Sequence, residues 1–182
     1  MTGLKEKWQS GDVSAFEALY NQYKNLVYKT AFLITGQKEE AEDILQEVFV
    51  SVWKSRDTYD SRKGKISTWL HTITVNHCNT RQRKKQPALS LEENMPVLSG
   101  INSGANPEQS VVDKQEYESV ISMLNTLDTR HRMVLVLRYF NELSYDEIAR
   151  VAGIPLGTVK SRINTALKYL REQLIMEKQE AS

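Results

Sequence analysis

The sequence predicts an all-α protein: two small helical domains joined by a flexible linker, the second of them a helix-turn-helix domain. Three observations lead there. Apolar residues recur at steps of three and four through most of the chain, and nowhere alternate with the period of two that a half-buried strand requires. Residues that start and stop helices bracket those runs. Between the two groups of helices, residues 86–110 lose periodicity and carry three of the four prolines. The expected domains are therefore 10–85 and 111–175, with 86–110 as the tether.

Taken in order, Ser14 and Glu17 stand at capping-box spacing, which satisfies the first free N–H groups of a helix. Phe16, Leu19, Tyr20, Tyr23, Leu26, Val27, Ala31 and Ile34 mark its buried face, and Gly36 ends it. A second helix turns Ala41, Ile44, Leu45, Val48, Phe49, Val52 and Trp53 inward. The turn-like YDSRKGK (59–65) leads into a third, ISTWLHTITVNHCNTRQRKK (66–85). Beyond the tether, Asn106 and Pro107 suit the cap and first turn of a new helix. Tyr117, Val120, Ile121, Leu124 and Leu127 form its stripe, and Met133, Val134, Leu137 and Phe140 that of the next. Ser144 and Glu147 repeat the capping-box spacing, and Ile148 with Ala152 lead to Gly153. The last helix is expected to bury Val159, Ile163, Ala166, Leu167, Leu170 and Leu174.

Composition narrows the class. The chain is 40% hydrophobic and 26% charged, which suits a globular protein rather than a disordered one. No apolar run approaches the ~18 residues of a membrane span. The start, MTGLKEKWQSGD, lacks the apolar core of a secretory signal. A single cysteine rules out an internal disulfide, so a cytoplasmic setting is expected. The net charge of +1 hides segregation. Glu39, Glu40, Glu42, Asp43 and Glu47 crowd the second helix, whereas Arg62, Lys63, Lys65, Arg81, Arg83, Lys84 and Lys85 crowd the third and its entry. An acidic surface beside a basic one points to two partners of opposite character.

The third helix holds Trp69, two of the three histidines (His71, His77) and the one cysteine, Cys78. It can be read as a core helix, a metal site, or a surface for something polar and negatively charged. The metal reading is weak: His71 and Cys78 share a face, but two ligands are too few for a structural zinc, and neither CxxC nor HxxxH is present. No phosphate-binding GxxxxGK, no GxSxG and no nucleophile beside a base occurs either. No enzyme activity, cofactor or small-molecule substrate is expected.

The stretch LSYDEIARVAGIPLGTVKSRINTALKYL (143–170) has the form of a helix-turn-helix, with a capped first helix, the small Ala149, a Gly153 turn and a second helix. Thr158, Lys160, Ser161, Arg162, Asn164, Thr165 and Lys168 face away from its apolar stripe and are of the types that read base edges and phosphates. A helical hairpin with a solvated face is the plainer alternative.

Three blocks in this order, EAEDILQEVFVSVW (40–53), KGKISTWLHTITVNHCNTRQRKK (63–85) and LSYDEIARVAGIPLGTVKSRI (143–163), resemble a bacterial RNA polymerase sigma factor of the extracytoplasmic function group, within the sigma-70 family. The resemblance implies a region 2 domain over 10–85 and a region 4 domain over 111–175. It implies docking on core RNA polymerase through Glu42, Asp43, Leu45, Gln46, Glu47 and Phe49, where acids beside an apolar edge suit a basic partner. It further implies that the loop 59–65 and the third helix read and help melt the promoter −10 element as single strand. Lys63, Lys65, Ser67, Thr68, Trp69, Thr72, Asn76, Asn79 and Arg83 are the residues placed there. On a helical wheel Thr68, Thr72, Asn76, Asn79 and Arg83 share one side, while Ile66, Leu70, Ile73 and His77 share another. Asn76 is the foremost base reader, because an amide both donates and accepts. Trp69 can stack on a base or pack in the core, and packing is the commoner role.

In the last block the resemblance assigns duplex −35 reading to Lys160, Ser161, Asn164 and Thr165, and phosphate contacts to Arg162 and Lys168. The chain departs from the family pattern at Ile66, where an aromatic is usual, at Thr80, where aspartate is frequent, and at Lys160, where arginine is common. Lysine cannot fork onto guanine as arginine does. An inhibitory anti-sigma factor is also implied. The competing class is a two-domain helix-turn-helix regulator with a sensory or partner-binding N-terminal domain. That reading accounts for the helix-turn-helix but for neither the acidic nor the basic helix.

Overall fold

A computed structural model describes residues 7–85 and 111–180. Seven α-helices are described: α1 (Val13–Thr35), α2 (Lys38–Lys54), α3 (Ile66–Lys85), α4 (Val111–Asn125), α5 (Thr129–Leu135), α6 (Tyr145–Ala152) and α7 (Leu156–Glu180). A short 3₁₀ turn (Arg56–Thr58) follows α2, and α5 runs on into a π-helical segment (Val136–Phe140). No strand occurs among the described residues. The expected tether, and the Asn106–Pro107 helix start, lie outside them.

Helices α1, α2 and α3 pack on one another, and α7 packs across α5 and α6. The first group is centred on Val27, Ala31, Ile34, Ile44, Val48, Val52, Leu70 and Val75, and the second on Val134, Leu137, Ile148, Val159 and Ile163, all essentially inaccessible. At roughly 25 cal/mol per Å² of apolar surface removed from water, each of the valines, leucines and isoleucines among them contributes about 1.5–3 kcal/mol before conformational entropy is counted. The two groups also touch: α1 lies against α5 and the π segment, and α3 against α6.

The helix ends show which local signals prevailed. Asp12, not Ser14, caps α1: its carboxylate Oδ1 accepts from Ser14 N at 2.8 Å and Ala15 N at 3.1 Å. A charged acceptor placed two residues earlier meets the free N–H groups first, so Ser14 falls inside the first turn. Gly36 ends α1 in the left-handed region at φ 73°, as expected. The Ser144–Glu147 capping box is complete in both directions, and Gly153 closes α6 at φ 65°.

Four expected core residues, Val120, Phe140, Leu167 and Leu174, come out to the surface. Phe140 is 42% exposed because the π segment inserts an extra residue into the turn, with Asn141 N–H bonding Val136 O at 3.1 Å. That shifts the phase, and the unbroken run Met133, Val134, Leu135, Val136 and Leu137 is buried instead. Leu167 and Leu174 are about two-fifths exposed since α7 outruns the short α5 and α6 that cover it. On α4, Ile121 and Leu124 are buried, as is Leu127 just beyond it, while Val120 stands at the exposed edge. Residues ahead of position 10 also pack onto the first group of helices. Trp8 is buried against Tyr59 and Trp69, with ring centroids 6.1 and 5.8 Å away, and Gln9 Nε2 donates to the carbonyls of Arg56 and Tyr59.

Candidate nucleic-acid interface

Helix α3 is two-sided, and its inner side is built from residues that hydropathy alone does not select. Leu70, His71, Thr74, Val75 and Cys78 are buried, whereas Ile66 and Ile73, expected to anchor it, are only partly covered. Thr74 enters the core by donating its hydroxyl to Leu70 O at 2.8 Å, which leaves only its methyl to pack. Burial brings His71 down to about 4, partly countered by the nearby Glu147 charge. The folded chain therefore holds this imidazole neutral, while the unfolded chain protonates it from about pH 6.5 downward. Its contribution is constant above that pH and is lost progressively as pH falls toward 4, by up to about 3 kcal/mol. Urea titrations at pH 7 and 5 should show a smaller acid loss in His71→Gln than in the parent, by about 2 kcal/mol; equal losses would show that His71 is not held neutral.

Cys78 is buried and its thiol is pushed up to about 12 by that burial. It should resist alkylation by iodoacetamide in the native chain at pH 7.5 and react freely in urea. Rapid native labelling would refute the packed assignment. Among the described residues no group of three metal-ligating side chains occurs. His77, which the sequence placed with the anchors of α3, instead makes polar contacts with α2. Its Nε2 lies 2.9 Å from Ser51 Oγ and its Nδ1 3.1 Å from Glu47 Oε2.

That contact belongs to a seam the sequence did not show. Arg81 donates to Asp43 at 3.2 Å and to Glu47 at 2.6 Å, and Lys85 to Glu40 at 2.7 Å. The acidic and basic surfaces are thus antiparallel edges that partly neutralise each other along α2 and α3. Burial works to raise the Glu47 pKa, but the hydrogen bonds and charges of Arg81 and His77 outweigh it and hold the carboxyl below its usual range. Each such exposed pair is worth only about 0–1 kcal/mol, so the seam sets register more than stability. A signal existed in the spacing: carboxylates at 40, 43 and 47 match basic groups at 77, 81 and 85 in three-and-four steps.

Of the proposed docking residues, Glu42, Asp43, Gln46 and Glu47 are exposed on α2 and Leu45 is partly covered beside them. Phe49 does not join them. It is 4% exposed, edge-on to Tyr20 at 4.8 Å, so it supports α2 from beneath. On the opposite flank of α3, Asn76 and Arg83 are exposed, while Ser67, Thr68, Thr72 and Asn79 are partly exposed. Thr72 donates back to Thr68 O at 3.1 Å, and Thr80 to Asn76 O at 2.8 Å. The Asn76 amide makes no side-chain hydrogen bond among the described residues.

The entry loop is ordered by its own polar groups. Asp60 binds the Arg62 guanidinium at 2.9 Å, which takes its carboxyl down to about 2, and Tyr59 donates to Gly64 O at 3.2 Å. Lys63 and Lys65 project from it. Trp69 is committed to the aromatic cluster, 5.3 Å from Tyr59, which favours its packing role. In α7, Lys160, Ser161, Asn164, Thr165 and Lys168 are exposed and Thr158 and Arg162 half-buried, with Val159, Ile163 and Ala166 forming the opposite, buried edge. The helix-turn-helix spacing expected from sequence is thus present, with Ile154 N–H closing the turn onto Ala149 O at 3.1 Å.

Known proteins resemble this chain in sequence and in fold. Residues 19–87 match the family description Sigma-70 region 2, and residues 123–172 match Sigma-70, region 4. The chain is 35% identical over 173 residues to the ECF RNA polymerase sigma factor SigW of Bacillus subtilis, spanning 91% of this chain and 92% of that protein. It is 29% identical over 169 residues to the ECF RNA polymerase sigma-E factor of Escherichia coli, spanning 88% and 86%. Among solved structures, the fold matches CnrH in complex with the cytosolic domain of CnrY at TM-score 0.67 and 24% identity, over 95% of this chain and 96% of that one. It also matches the sigma factor RpoE in complex with the anti-sigma factor NepR from Bartonella quintana at TM-score 0.68 and 21% identity, over 87% and 96%. With both sigma-70 regions in order on one chain, and a relative alike from end to end, this protein belongs to the ECF RNA polymerase sigma factors.

Proposed function

We propose that this sigma factor is a dissociable initiation subunit that brings core RNA polymerase to its promoters. Residues 10–85 act as region 2, with the exposed edge of α2 (Glu42, Asp43, Leu45, Gln46, Glu47) on the polymerase. The outer face of α3 (Thr68, Thr72, Asn76, Asn79, Arg83) and the loop lysines (Lys63, Lys65) lie on the −10 element. Residues 111–175 act as region 4, with Lys160, Ser161, Asn164 and Thr165 on −35 base edges and Arg162 and Lys168 on phosphates. One observation carries this reading: α3 turns an uncommitted amide and an exposed arginine outward from a fully packed inner face. That is the arrangement an exposed single strand needs, with polar edges for bases and cations for the backbone.

Strand opening on this reading draws on binding energy, and the polymerase performs the chemistry, so the subunit itself is no enzyme. Among the described residues no helix is long and apolar enough to cross a membrane. The site of action on this reading is the cytoplasm. An anti-sigma factor, such as the one bound to the Bartonella protein, is the expected inhibitor. Run-off transcription with core polymerase and a genomic promoter library, with and without this chain, tests the proposal. Chain-dependent start sites preceded by common −35 and −10 sequences are expected; no gained start site would sink it.

A further inference from the structure

The loop 59–65 is held at both ends by a short segment ahead of α1. Residues 7–9 form a single helical turn, and the chain reverses at Gly11, whose φ is 91°. Gly11 N–H bonds Trp8 O and Asp12 N–H bonds Lys7 O, both at 3.0 Å. These are the two bonds of a Schellman ending, which fixes the direction in which the chain leaves a helical turn. Asp12 then caps α1 with its side chain. One residue finishes the turn and starts the long helix, so the angle between residues 7–9 and α1 is set locally.

That angle lays a staple across the loop. The Trp8 ring meets Tyr59, where the loop begins, and Trp69, one turn into the helix where it ends. Trp8 is 1% exposed and its Nε1 has no hydrogen-bond partner among the described residues, so the ring serves by its shape and not by its polar edge. Gln9 acts on the backbone instead. Its Nε2 donates to Arg56 O at 3.2 Å and to Tyr59 O at 2.9 Å. Both partners are carbonyls, so only the amide nitrogen fits between them. The two bonds tie off the 3₁₀ turn and fix the peptide from which the loop departs. The Tyr59 hydroxyl completes the frame on Gly64 O, one residue before Lys65.

The loop has little else to hold it. Its ion pair joins Asp60 and Arg62, two residues apart, and the Arg62 side chain is 88% exposed. Exposed pairs of this kind contribute little. At the far end, no atom lies within 4 Å of where a Cβ on Gly64 would stand. Order in the loop therefore depends on its anchored ends, and a loop ordered in advance loses less entropy when it meets a ligand.

We propose that Trp8 and Gln9 are positioning residues for −10 reading: they hold both ends of the loop so that Lys63, Lys65 and Ser67 meet the strand already arranged. The proposal rests on the −10 role given above to the loop and α3. Trp8 and Gln9 act through Tyr59 and Trp69 and touch no DNA themselves. Both lie ahead of residues 19–87, the part that matches region 2.

Hydrogen exchange on the full chain and promoter titration with the holoenzyme test this together, on the promoter with the highest run-off yield. Gln9→Glu keeps the size of the side chain but turns a carboxylate toward two carbonyl oxygens. Amides of residues 57–66 should then exchange faster, while those of α2 and of α5 to α7 keep the parent rates. The concentration of holoenzyme that half-saturates the promoter should rise about 5-fold, as the competent loop falls to about one in five of the population. Trp8→Ala should do at least as much. Trp8→Phe keeps a ring in place and gives up only an unpaired N–H, so it should stay close to the parent in both measurements. If Trp8→Ala does not fold, Gln9→Glu and Trp8→Phe still decide the question. Parent exchange rates across the Gln9→Glu loop would overturn the anchor. Faster exchange spread through α1 and α2 would reduce the two residues to ordinary supports of the domain and overturn the positioning role. So would a loosened loop with promoter binding intact, measured beside an Asn76→Ala chain that binds poorly. If Asn76→Ala binds normally as well, it is the −10 reading that fails, and the proposal with it.

Discussion

Leu70→Ala is expected to destabilise the N-terminal domain by about 2–5 kcal/mol, the range for a truncated leucine in a packed core. Leu70 is wholly inaccessible, on a helix that packs against both other helices of its domain. The cavity would open beneath the reading face, so promoter binding should fall with temperature before it falls at 15 °C. A urea unfolding midpoint close to that of the parent would show that the site collapses around the smaller side chain, and would weaken the claim that α3 is held rigid from inside. For a domain of this size the melting temperature should drop by about 8 °C or more, since about 4–8 °C accompanies each kcal/mol.

Asn76→Ala lies on the same helix and should do the reverse. Its side chain is exposed and makes no hydrogen bond among the described residues, so stability should change by less than about 0.5 kcal/mol. Binding should lose about 1–3 kcal/mol, concentrated at one position of the −10 element. Competition between promoters that differ at single −10 positions reads this directly. A loss spread evenly across sequences would assign Asn76 to backbone contact instead, and no loss would remove it from the interface. Together the two variants separate what supports α3 from what α3 presents.

Much of this protein could be read from its residues, for reasons that are local. Helix limits followed from groups whose effect does not depend on distant neighbours: Gly36 and Gly153 in the left-handed region, and the reciprocal Ser144–Glu147 box. The bounds of α3 emerged as expected, and its outward stripe through Asn76 and Arg83 followed from helical geometry alone. The three ordered blocks sufficed to indicate the family.

Tertiary structure decided what depends on a partner across space. A charge reads as solvated until its counter-ion is located, so Asp43, Glu47 and Arg81 seemed to belong to two surfaces and in fact share a seam. Hydropathy ranks threonine and histidine as outward residues, yet Thr74 and His71 are buried because a backbone carbonyl takes one hydroxyl proton and desolvation keeps one imidazole neutral. Phe140, expected in the core, is turned out by the extra residue of a π turn, and Phe49, buried as its helix stripe requires and covered by Tyr20, is withdrawn from the docking edge. Arg132 is the furthest case. Beside an unbroken apolar run it reads as a helix-surface charge, and only the arrival of α1, about a hundred residues away in sequence, makes it the group that joins the two domains. Local signals set each helix, whereas the contact between domains arises from groups brought together by folding, which no periodicity records.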